Sequence, residues 1–193
     1  MKPPRRWPRS TCRRRRRTRT EGTMEITADP LDNLHACHGR IEEHLQTLEN
    51  LARELRVGVP DRAAGSDAEA VLRYFETAGA QHQRDEDVDV FPLLRARAAA
   101  LGRIEVAAAI DELEREHATV EAQWRRLREA LSAVATLQEG AGIDAGEAER
   151  FAWLYRRHMD REAQLVLPFA REALRPEERA ELGARMAARR AAK

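Results

Sequence analysis

Two stretches decide the fold: His82 to Leu94, HQRDEDVDVFPLL, and His158 to Glu172, HMDREAQLVLPFARE. Each sets a histidine one helical turn ahead of a glutamate, with a proline following at a fixed offset, so His82, Glu86 and Pro92 recur as His158, Glu162 and Pro168. A four-residue step on an α-helix keeps two side chains on one face. Val71, Phe75 and Ala78 precede His82, and Val90 and Leu93 follow Glu86. Phe151 and Leu154 precede His158, and Leu165 and Phe169 follow Glu162. These apolar residues step by three and four along the same face as the His and Glu. The spacing therefore predicts two amphipathic helices that turn a His and a Glu inward.

Two further seams have the same form. Leu34, Ile41, Leu45, Leu48, Ala52 and Leu55 define one, with His38 filling its single gap. Ile110, Leu113, Val120, Trp124, Leu127, Leu131 and Val134 define the other, interrupted by His117. His38, Ile41, Glu42, Leu45 and Leu48 match His117, Val120, Glu121, Trp124 and Leu127 position for position, so helices one and two echo helices three and four. Asp29 with Pro30 reads as an N-cap and first helical residue. Gly58, Pro60 and Gly65 form a linker, and Asp67 caps the second helix, which carries a kink at Pro92 and ends near Leu101 and Gly102. The third helix runs from about Arg103 to Gln138. After a loop with Gly140, Gly142 and Gly146, Asp144 with Glu147 has the form of a capping box for the fourth helix, which contains Pro168 and ends near Leu174. Pro176 opens a short helix to about Arg190 whose end should fray. The expectation is an all-α chain: an antiparallel up-down-up-down four-helix bundle over residues 29–193 with a short C-terminal helix, after a basic extension at residues 1–28.

Composition agrees. Among 193 residues, 35% are charged and 5% aromatic, and no apolar run is long enough to span a membrane. Two cysteines, Cys12 and Cys37, make neither a disulfide framework nor a metal knuckle, which points to a reducing compartment and a cytoplasmic location. Net charge is +1, yet residues 1–23 hold ten basic side chains against one acid, Glu21, so the remainder is acidic. The tail lacks the apolar stretch of a secretory signal. It reads as a solvated extension, with Met24 as a candidate for the true start. Nucleic acid would be met only through this tail, by neutralising phosphates.

Six polar groups are thus expected inside one core: His38, His82, His117, His158, Glu86 and Glu162. Burying an unpaired carboxylate costs several kcal/mol, and a pair of cations compensates for it. Imidazole and carboxylate suit iron, manganese or zinc, and bundles place two metals between facing helices bridged by Glu. Around this set, His35 and His44 read as exposed, Cys37 as a small buried thiol, Trp124 and Tyr155 as core aromatics, and Glu42 and Glu121 either as solvated helix edge or as additional ligands. Gly39 and Gly79, within a turn of proposed ligands, leave room for an exogenous ligand or let helices approach.

The runs HGRIEEHLQTL from His38, HQRDEDVDVFPLL from His82, EREHATVEAQW around His117 and HMDREAQLVLPFARE from His158 resemble the hemerythrin-like HHE cation-binding proteins over about residues 29–190. The resemblance implies an oxo- or hydroxo-bridged pair of non-haem iron ions, with His38, His82, His117 and His158 as terminal ligands and Glu86 and Glu162 as bridges. The oxygen carriers of that family have a further histidine where this chain has Glu121. The resemblance accordingly implies binding or sensing of dioxygen, a related small oxidant or iron status. Its alternative is a di-iron enzyme or repair factor acting on peroxide or nitric oxide, or restoring damaged iron centres. No partnered Ser, Cys or Lys nucleophile is visible, and nothing in the sequence fixes an oligomeric state.

Overall fold

A computed structural model describes residues 29–56 and 58–191. The basic extension expected at residues 1–28, with Cys12, lies outside the described residues. Helix α1 is Pro30–Glu54, capped by Asp29, whose Oδ1 accepts from the Leu31 amide at 2.9 Å. Helix α2 covers residues 62–100, α3 is Ile104–Ala135, α4 covers residues 145–173 and α5 is Pro176–Ala191. The helix α4 cap is as expected: Asp144 accepts from the Glu147 amide at 2.7 Å.

The start of α2 differs from expectation. Asp61, not Asp67, is the cap, accepting from the Ala64 amide at 2.8 Å. Gly65 is therefore a helix residue and not part of the linker. Close packing explains it: a Cβ at Gly65 would meet Leu137 Cδ2 at 3.0 Å and the Ala135 carbonyl at 3.3 Å, so α2 can cross the end of α3 only without a side chain there.

Neither long proline-containing helix simply kinks. Each opens into a π turn immediately ahead of its proline: Glu86–Val90 before Pro92 and Glu162–Val166 before Pro168. Proline has no N–H to give to the carbonyl four residues back, and its ring presses on that carbonyl. Widening the turn relieves both problems, and the amides of Phe91 and Leu167 reach back five residues to the carbonyls of Glu86 and Glu162. A third π turn, Phe75–Gly79, shifts the phase of α2, so that Gly79 is buried and the expected core residue Ala78 is exposed. The same mechanism buries Phe91 and Leu94 and leaves Leu93 at the margin.

Helices α1 and α3 each pack against both α2 and α4, which closes a four-helix ring of consecutive antiparallel neighbours. Its core comes in two apolar layers. One contains Leu45, Leu48, Leu127, Leu131 and Phe151; the other contains Leu31, Phe91, Ile110, Leu113 and Phe169. The proposed ligands lie at the junction of the two layers, with Met159 of the first layer between His158 and Glu162 on α4. Helix α5 packs across α1 and the Glu86–Val90 turn, and near its end Arg189 and Arg190 are ion-paired to Asp85. Among the described residues no helix is long and apolar enough to cross a membrane.

Candidate metal centre

The HxxxE segments place their donors through local geometry. His82 and Glu86 lie one turn apart on α2, and Glu86 is the first residue of a π turn. His158 and Glu162 stand in the same relation on α4. His38 projects from α1 and His117 from α3. All six are buried, Glu86 at 1% exposure and Glu162 at 2%.

They meet in two overlapping groups. His38, His82, Glu86 and Glu162 offer donor atoms within 4.8 Å of one another, and so do Glu86, His117 and His158. Glu86 belongs to both. Its Oε1 is 2.8 Å from His82 Nε2 and its Oε2 is 3.3 Å from His117 Nε2. Glu162 Oε2 lies 2.9 Å from His38 Nε2 and 3.9 Å from His158 Nε2. His117 and His158 bring their Nε2 atoms to 3.2 Å of each other.

Apart from the His117–His158 contact, hydrogen bonds do not account for these short distances. His38 Nε2, His82 Nε2, Glu86 Oε2 and Glu162 Oε2 are buried without a hydrogen-bond partner. Buried polar atoms normally have one. Lone pairs that converge at bonding distance without being aimed at each other are what a shared cation requires. The donor set of four imidazoles and two carboxylates suits iron, manganese or zinc, so the residues present fit a metal pair.

Electrostatics favour charged partners even without metal. Burial would lower the His82 imidazole, but Glu86 attracts its proton and holds it well above its usual range. Burial would likewise raise Glu86, and the two histidines hold it well below the usual carboxylate range. His117, opposed by burial but facing Asp87 and Glu86, is pushed up to about 9.

Two supporting acids escaped the sequence reading. Asp87 Oδ1 lies 2.7 Å from His117 Nδ1, which keeps the proton on that nitrogen and leaves Nε2 free to act as a ligand. Glu116 Oε2 stands 3.3 Å from His158 Nδ1, while Glu116 Oε1 accepts from Arg157 at 2.7 Å and Arg161 at 3.0 Å. No periodicity marks either acid. Each sits directly beside a seam residue, and that adjacency was the available signal.

The neighbours sort cleanly. Glu42 is bound by Arg156, whose Nε donates to it at 2.9 Å, and Glu121 is exposed; neither belongs to a donor group. His35 is exposed, whereas His44, expected to be exposed, is half-buried and stacks on Tyr74 at 4.1 Å. Cys37 is buried and its Sγ accepts from Arg40 at 2.9 Å. Neither glycine serves a helix approach: a Cβ at Gly79 would meet Phe75 Cδ1 at 3.2 Å and Tyr74, both on its own helix, and nothing lies within 4 Å of the Cβ position of Gly39. Tyr155 is buried 6.5 Å from the His158 ring and lines a groove of about 630 Å³ with Phe75, Val120, Trp124 and Asp87; none of the six donors lines it.

The comparisons with known proteins agree with this geometry. The family description that matches, over residues 29–170, is the Hemerythrin HHE cation binding domain. The chain belongs to that family. A Haemophilus influenzae protein described only as uncharacterised is 32% identical to this hemerythrin-domain chain over 165 residues, which cover 86% of the chain and 92% of that relative. The match covers the four bundle helices up to Ala170 and stops before α5. The domain thus combines the hemerythrin four-helix architecture with clustered His and Glu residues that form a candidate di-iron site.

Proposed function

We propose that this hemerythrin-domain protein holds two iron ions and takes up dioxygen or a related small oxidant, as a binding or sensing module in a reducing, cytoplasmic setting. His38 and His82 would hold one ion and His117 and His158 the other, with Glu86 and Glu162 shared between them. The observation that carries the reading is the shared Glu86, buried at the overlap of two donor groups in which His38 Nε2, His82 Nε2, Glu86 Oε2 and Glu162 Oε2 have no hydrogen-bond partner. When bound, the pair supplies reversible one-electron chemistry at each metal.

The chain's own residues do the rest. Asp87 fixes the His117 tautomer and ring orientation. Glu116, itself held by Arg157 and Arg161, orients His158. The flanking layers exclude bulk water: Ile41, Leu45 and Val120 on one side and Phe91 and Leu113 on the other, with the Phe91 ring stacked on His117 at 5.7 Å. A water-poor shell limits access and tunes the site. A small molecule would approach through the groove lined by Tyr155 and Asp87. The free thiol of Cys37 accords with a reducing compartment.

The test is an anaerobic titration of the ferrous protein with dioxygen, followed by its removal. A stoichiometric, reversible change in the visible spectrum is expected. Catalytic consumption of peroxide or nitric oxide, without a reversible adduct-type spectral change, would transfer the site to enzymatic chemistry.

A further inference from the structure

We propose that α5, which lies beyond residues 29–170 matched by the family description, is a strap that positions Glu86, with Arg189 and Arg190 as the positioning residues. The proposal rests on Glu86 being a ligand, and it goes past the donor set to ask what holds that ligand in place.

Glu86 is flanked by two buried acids. Asp85 is fully buried and Asp89 is 8% exposed. Asp85 accepts from Gln81 Nε2 at 2.7 Å, from Arg189 Nη1 at 2.9 Å and from Arg190 Nη2 at 2.6 Å. Asp89 accepts from Arg189 Nη2, and Arg185 Nε stands 3.6 Å from it. Arg189 therefore spans both acids, one on each side of the residue that opens the π turn. Removing one partner of a buried ion pair is costly because the other charge is left stranded. The conformation of the turn is consequently coupled to the docking of α5. Leu182 and Met186 anchor that helix in the apolar layer beneath the site.

The internal repeat shows that this support is specific to one half. The positions equivalent to Asp85 and Asp89 in the second half, counted from the matching His, Glu and Pro, are Arg161 and Leu165. Both halves have a π turn ahead of a proline, but only the Glu86 turn carries acids that meet α5. A π turn is a strained interruption of the regular hydrogen-bond ladder. In this half its wide bond, Phe91 amide to Glu86 carbonyl, is held by a helix from outside the bundle. The strap thus fixes the carboxylate common to both donor groups, while Glu162 relies on the bundle alone.

The symmetry supplies its own control. Amide hydrogen exchange at Phe91 and at Leu167, the two π-bond donors, is measured on the full chain with Arg189→Ala and Arg190→Ala combined, both as isolated and after treatment with a chelator. Exchange at Phe91 is expected to quicken about tenfold more than at Leu167. Iron transfer to an external chelator should quicken by about tenfold or more, and Arg189→Lys with Arg190→Lys should recover part of both effects. Equal acceleration at Phe91 and Leu167, or none at either, overturns the strap. Should the alanine pair fail to fold, Asp85→Asn, Asp89→Asn, Arg189→Gln and Arg190→Gln together remove both sides of the buried charge, and the same differential exchange is expected and decides the matter. Wild-type protein that takes up no metal would contradict the di-iron reading only, since the exchange comparison proceeds without metal.

Discussion

Replacing Asp87 by alanine should unbalance the two metal positions. Asp87 touches the centre only through His117 Nδ1, at 2.7 Å, and its side chain is 37% exposed, so its loss should disturb the fold little. What is lost is the acceptor that locks the imidazole with Nε2 facing Glu86 Oε2, 3.3 Å away. Deleting such a partner of a metal-binding histidine weakens affinity by about 10- to 100-fold, or roughly 1.4 to 2.7 kcal/mol. The counterpart of Asp87 in the repeat is Ala163, so the other half has no equivalent support to lose. Cobalt(II) titration with a competing chelator, followed through its visible absorption, should resolve a nearly unchanged tight step and a second step weakened by about this factor. Asp87→Asn keeps an acceptor oxygen and should fall between. Equal weakening of both steps, or no weakening of either, would refute the assignment of Asp87 to the His117 half.

Other consequences are equally direct. Gly39→Ala should stabilise the fold by about 0.5 to 1 kcal/mol, because the Cβ enters open space in mid-helix, whereas Gly65→Ala should destabilise it by about 1 kcal/mol or more through contact with Leu137 and the Ala135 carbonyl; opposite shifts in melting temperature check the pair. Burial lowers His44 below its ordinary value, so its neutral form is the one the fold prefers. That contribution is complete above the unfolded imidazole's pKa near 6.5 and is lost as pH falls through the folded value. His44→Phe should accordingly flatten the acid side of the stability profile between about pH 7 and 5, and an unchanged profile by thermal melts would contradict this. Glu42→Ala and Glu121→Ala should leave metal content per chain unchanged, because Glu42 is held by Arg156 and Glu121 is exposed; loss of an ion in either variant would make that acid a ligand.

Much of the architecture was legible because the seams are long and their polar interruptions repeat. His38, His82, His117, His158, Glu86 and Glu162 could be placed on inward faces from spacing alone, and the structure brings them together. Backbone phase was less legible. A π turn inserts an extra residue without leaving a mark in the local periodicity, so Ala78 was assigned inward where Gly79 lies. The prolines at 92 and 168 announced a disruption but not its form. Long-range charge pairing was invisible for another reason. Asp85 and Arg189 are separated by 104 residues, and nothing in an acidic stretch or a basic helix end says that the two will meet. Gly65 looks like a breaker in the sequence and hides the Asp61 cap, although α3 packs there closely enough to require glycine. Asp87 and Glu116 were overlooked because one-residue offsets from a seam normally point away from the core.

The most direct test of the central claim is metal analysis of the isolated protein together with its near-ultraviolet and visible spectrum. The account predicts about two irons per chain and the charge-transfer bands of a bridged ferric pair, both lost when Glu86 and Glu162 are replaced by Gln. A single zinc per chain, or two irons retained after both replacements, would contradict it.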